Sequence, residues 1–206
     1  MFCRNRFFQG ALMTKRLAQC LPVFLTMALG LAISAPSHAQ TRAKLSPLAE
    51  AVDEQITSLE KQFVAVAEAM PADKFEATPE TLGIPGSAFK GVRTFAAQVK
   101  HVAADNFAIW APVAGEPERA DINAPSGPAE MKTRDDILKF LKESFVYGHK
   151  AAADLTAENQ LELVAFRGRK VTRLSLVILA LTHTNDHYGQ MVEYLRMNGV
   201  IPPGSR

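Results

Sequence analysis

The segment LTHTNDHYGQMVEYLRMNG, Leu181 to Gly199, places His183 and His187 four residues apart. On a helix, residues four apart are stacked neighbours on one face. Both imidazoles can therefore turn toward one point. Neutral imidazole is a common ligand for Zn, Ni, Cu and Fe, so one reading is a pair gripping a divalent ion. The other is an ordinary helical pair bonded to carboxylates or backbone, and the spacing alone does not separate the two. Zincin protease chemistry is not supported, because Thr184 stands where an H-E-x-x-H motif needs its glutamate.

A third ligand has few sources. Besides His38, only His101 and His149 remain. His101 lies in QVKHVAADNFAIW. Three histidines from two helices leave coordination positions for water or substrate, the pattern of a catalytic site. On a helical wheel His101 shares its face with Ala97, Ala104, Asp105 and Ala108, opposite a stripe of Val92, Phe95, Val99, Val102, Asn106 and Ile109. It either faces outward, or these small residues admit another helix with His101 at the contact. Asp105, one turn after His101, is a fourth ligand, a second-shell partner or a solvated carboxylate. Asp186 is spaced to orient His183 weakly. Gln190 and Tyr194 continue the face of His187 and could line a pocket. Asn106 and Trp110 are expected inside the fold, His149 outside it. Arg196 suits a helix C-terminus. The run RGRKVTR, Arg167 to Arg173, is either an anion site or a solvated loop.

These residues must be carried by helices. Leu48, Val52, Ile56, Leu59, Phe63, Val66 and Met70 recur at spacings of three and four, one face of a first helix. Ser46-Pro47 opens it and Pro71 closes it. A second helix is predicted from about Ala88 to Trp110, followed by an irregular connection from Ala111 to Pro128. A third begins at the Thr133 cap and runs to about Leu155. The last spans Val171 to Met197, ended by Asn198-Gly199 and Pro202-Pro203. Its stretch LSLVILAL is apolar almost all round, which predicts burial on every face. No strand-period alternation and no internal repeat is seen. Four long helices in one domain predict an all-α four-helix bundle.

The chain of 206 residues begins with a different kind of segment. Arg4, Arg6, Lys15 and Arg16 precede the apolar run LPVFLTMALGLAISA and then PSHAQ. This is the order of a secretory signal peptide, with cleavage expected after Ala39. The apolar core is short for a membrane anchor of about 20 residues. The expected organisation is a leader over residues 1–39 and one domain over 40–206. Cleavage removes both cysteines, Cys3 and Cys20, and with them any thiolate ligand or disulfide. Without the four basic leader residues, 19 Lys and Arg face 21 Asp and Glu, so the formal charge of +2 becomes −2. Nucleic-acid binding is not indicated. The expected location is secreted or periplasmic, with no stable membrane anchor after cleavage. A homodimer is compatible with exposed apolar helix faces.

The segments VRTFAAQVKHVAADNFAIWA and THTNDHYGQMVEYLRMNGVIPP together resemble the DinB-like family of metal-binding four-helix proteins. The resemblance extends over nearly all of residues 40–206. It implies one divalent metal, Zn or Ni, held by His101, His183 and His187. It also implies, for some members, thiol-dependent transferase or isomerase chemistry on a small molecule. Two classes of function follow: a metal-dependent hydrolase or transferase that activates water or a thiol, and a non-catalytic metal- or ligand-binding stress-response protein.

Overall fold

The computed structural model describes residues 44–205. The expected leader, residues 1–39, lies outside the described residues. Four helices carry the fold: α1 (Pro47–Ala69), α2 (Phe95–Ala114), α3 (Arg134–Ala153) and α4 (Arg173–Met197). Each opens on a hydroxyl cap. Ser46, Thr94, Thr133 and Thr172 accept from the backbone N–H three residues on, satisfying donors the helix itself cannot. α1 and α2 each pack on both α3 and α4, so the helices run α1–α3–α2–α4 around the core. Among the described residues no helix is long and apolar enough to cross a membrane.

α2 is the central element. From His101 to Ala111 every residue is buried, because the helix is covered from two sides. Ala103, Ala104 and Ala108 lie at most 1% exposed, and their small side chains leave room for neighbours. α2 starts at Phe95 rather than about Ala88. Residues 88–93 form turns instead, with Gly91 at φ 80°, and the N–H groups of Phe95 and Ala96 are bound by the Ala77 and Phe75 carbonyls. It also runs past Trp110 and through Pro112 to the left-handed Gly115. Proline there forfeits one hydrogen bond in the last turn. The Arg173 guanidinium binds the Val113 carbonyl at that end.

Two further expectations are corrected. Where no strand-period alternation is seen in the sequence, the chain forms an antiparallel hairpin, β1 (Leu163–Phe166) with β2 (Arg169–Thr172), Phe166 opposite Arg169. Arg167 and Gly168 connect them, both at positive φ, as a two-residue type I′ hairpin turn requires. β2 runs directly into α4, which therefore starts at Arg173. Nor is α4 buried on every face: Ile178 is 54% and Leu179 38% exposed. Only its Leu176, Val177, Ala180, Thr184, His187, Met191, Tyr194, Leu195 stripe enters the core.

A buried polar bridge fixes the register of three helices. Asn106 on α2 donates to Ser144 Oγ on α3 (3.2 Å) and accepts from Thr184 Oγ1 on α4 (3.2 Å). Asn106 lies five residues beyond His101, and Thr184 directly follows His183. The bridge thus aligns the very turns that carry the histidines. Asn106→Ala leaves the buried Thr184 hydroxyl without its acceptor and takes one partner from Ser144, which keeps its bond to the Leu141 carbonyl; removing such a partner costs about 1–3 kcal/mol. Its thermal midpoint is expected to fall by several degrees, checked by calorimetry on the metal-free protein.

Candidate metal centre

His101, His183 and His187 meet where α2 faces α4. His101 Nε2 stands 3.1 Å from His187 Nε2 and 3.1 Å from His183 Nε2. One ring nitrogen from each histidine lies within 4.8 Å of the others. His101 and His187 are 6% and 7% exposed, while His183 opens partly to solvent. His101 therefore faces inward, as the alanine-lined helix contact requires.

The outer ring nitrogens decide which tautomers meet. His101 Nδ1 faces the Pro125 carbonyl at 2.6 Å. A carbonyl only accepts, so Nδ1 donates and Nε2 keeps its lone pair. His187 Nδ1 faces Gln190 Oε1 at 3.1 Å. That amide is oriented by two further bonds: its Nε2 donates to Asp186 Oδ2 (2.9 Å), and its Oε1 accepts from Gln98 Nε2 (2.9 Å). His187 Nδ1 is therefore also a donor. With both rings neutral, two imidazole lone pairs are left facing each other at 3.1 Å, beside the Nε2 of His183.

A shared cation resolves that conflict. Zinc–nitrogen bonds of about 2.0–2.1 Å in a tetrahedron place ligand nitrogens about 3.3 Å apart, close to the spacing seen. The three-histidine cluster could hold a metal ion. Its donor set of neutral nitrogens suits Zn, Ni, Cu or Fe rather than Mg or Ca. Burial favours the neutral rings that ligation needs. It pushes the His187 imidazole down to about 4, helped by the neighbouring His183 and His101 and opposed by Asp186. His183 is also lowered, first by burial, against the raising effect of Asp105.

Around the cluster, the expected residues take different places. Asp105, 3% exposed, sets Oδ2 3.3 Å from His183 Nε2 and gives Oδ1 to Arg167 Nη2 at 2.7 Å. Gln190 orients His187. Tyr194 is buried against Phe95, with ring centroids 6.2 Å apart, and donates to the Arg93 carbonyl at 2.6 Å. His149, expected outside, is half-buried between α3 and α1, with Nδ1 2.5 Å from Asp53 and Nε2 3.2 Å from Glu60. A surface groove of about 610 Å³ lies elsewhere, between Glu68 on α1 and Arg134, Leu138, Lys142 and Val146 on α3. Gln98 and Arg167 were not expected as site neighbours, whereas Pro125 belongs to the 111–128 connection, which was expected to wall a pocket there. A backbone carbonyl leaves no residue-type signal, whereas Arg167-Gly168 is a legible turn.

The connection between α2 and α3 supplies Pro125 by folding back on α2. Lys100 Nζ donates to the Pro128 carbonyl at 3.3 Å. Gly127, at φ 76°, leaves no space for a side chain: a Cβ would meet Lys100 Cβ at 3.1 Å and its carbonyl oxygen at 3.2 Å. Gly127→Val is expected to push this connection off α2, free the His101 ring and weaken metal affinity about 10–100-fold, the usual loss with an orienting partner. Competition against a chromophoric chelator checks this.

Protons compete with any ion and with folding itself. An unfolded histidine binds a proton near pH 6.5, while folded His187 resists until about pH 4. Between those values the unfolded state holds more protons, so stability falls as pH falls. In chelator, the thermal midpoint of the wild type is expected to drop from pH 7 to pH 4.5 more steeply than that of His187→Gln.

A profile described as the DinB family matches residues 54–205. Two solved structures share the fold. A DinB-like protein from Bacillus subtilis is 19% identical, with a TM-score of 0.57, over 72% of this chain and 92% of its own. A DinB-like protein from Bacillus cereus ATCC 10987 is 16% identical, with a TM-score of 0.55, over 76% and 97%. No curated protein matches. With the family profile extending across all four helices and the cluster, the chain belongs to the DinB family.

Proposed function

We propose that this protein is an exported metal-dependent enzyme, a hydrolase or transferase, that holds one Zn or Ni ion through His101, His183 and His187. The observation that carries the reading is the pair of imidazole lone pairs facing each other at 3.1 Å. Such an ion supplies Lewis acidity, lowering the pKa of a water or thiol at neutral pH. The chain supplies the rest. Pro125 and Gln190 fix the rings of His101 and His187. Asp105, with one oxygen beside His183 and the other tied to Arg167, is the group placed to accept a proton at the site. His183, the least buried of the three, marks the side from which a small molecule enters. Export rests on the basic, apolar and small-residue order of residues 1–39.

A second reading is a non-catalytic protein that simply retains its ion. The deep burial of His101 and His187 favours it.

Elemental mass spectrometry of the untagged protein tests the shared premise. Near-stoichiometric Zn or Ni is expected in the wild type, and loss of most of it in both His101→Ala and His183→Ala. A wild type free of metal after incubation with Zn, Ni and Mn would sink the site. With metal established, turnover of ester, amide or thiol-acceptor substrates separates the enzyme from the binding protein.

A further inference from the structure

Arg167 sits at the tip of the β1–β2 hairpin and reaches back to α2. Its Nη2 donates to Asp105 Oδ1, and the other oxygen of Asp105 touches His183. Among the described residues this is its one hydrogen bond, so most of the five guanidinium donors stay free. The Arg167 side chain is 49% exposed against 4% for Asp105, so the head group faces solvent from the edge of the cluster. It is held there: the guanidinium carbon lies 4.9 Å from the centroid of the Phe166 ring, a cation–π contact that limits its freedom.

The backbone adds a second observation. Arg167 has φ 46°, the left-handed region where Asn, Asp or Gly are the ordinary occupants of a type I′ turn. A long side chain there is uncommon. Its guanidinium, rather than the turn, explains the residue. Arg169 and Lys170 are exposed on the same hairpin and add positive potential that draws small anions.

We propose that Arg167 is the anchor for an anionic group of the substrate, and that the site takes small molecules bearing a carboxylate. This rests on the metal reading above. The free edge of the guanidinium fork matches a planar carboxylate. Asp105, already on the same guanidinium, repels a dianionic phosphate more strongly than a monoanionic carboxylate. One end of the molecule meets the guanidinium while its reactive end lies at the histidine cluster.

The test uses the protein loaded with Co²⁺ and two thiols of similar length, 3-mercaptopropionate and 2-mercaptoethanol. Thiolate-to-cobalt absorption reports binding of each. In the wild type the carboxylate-bearing thiol is expected to bind about tenfold tighter, the scale of one charge-assisted hydrogen bond. Arg167→Gln should abolish that preference and leave 2-mercaptoethanol within about twofold. Arg167→Lys should retain part of it, because charge survives without the fork. Comparing two probes on one protein cancels any change in metal affinity caused by leaving Asp105 unpaired. No preference in the wild type, or a preference that survives Arg167→Gln, overturns the anchor while leaving the metal reading intact. A wild type that takes up no Co²⁺ overturns both.

Discussion

Two imidazole nitrogens with their lone pairs turned toward each other are a repulsive arrangement, and much of this structure serves to impose it. His101 is fixed by a carbonyl from a connection that folds back across α2. His187 is fixed by an amide whose own orientation depends on Asp186 and Gln98. Neither ring can rotate to relieve the contact without breaking a part-buried hydrogen bond. The alanines of α2 permit the approach of the helices, and the Asn106–Ser144–Thr184 bridge sets their register. Packing and polar satisfaction thus jointly leave room for a cation between the rings.

Much of this could be read from the chain. α1 and α3 and the end of α4 follow the apolar spacing and the caps closely, because each buries a single stripe. The role of His101 could not be settled that way. A wheel assumes one buried face, and α2 is buried on two. The same assumption misplaced α4: an apolar circumference predicts full burial, yet Ile178 and Leu179 are exposed. The hairpin was missed because LVAF does not alternate in polarity, although its face does alternate in exposure. His149 was expected in solvent. Its carboxylate partners, Asp53 and Glu60, come from α1, nearly a hundred residues earlier. No local pattern encodes such a contact.

The surroundings of the cluster divide by origin. The three imidazoles come only from helices, which hold them rigidly. Two of the groups around them come from less regular segments: the Pro125 carbonyl from a connection and Arg167 from a hairpin tip. Rigid elements hold the histidines, and the segments around them are freer to vary what reaches the cluster.

The span between these histidines bears on how the chain holds together. His101 and His187 are 86 residues apart in sequence, and α3 and the hairpin lie between them. An ion bound to both closes that span into a loop, as a disulfide would. In the chain-entropy view a cross-link of this length lowers the entropy of the open chain by an amount equivalent to about 4–5 kcal/mol. The chain's only cysteines, Cys3 and Cys20, lie outside residues 40–206, so a metal bridge is the cross-link that those residues can form. Unlike a disulfide, it contains no bond that reduction opens, and it is released by acid.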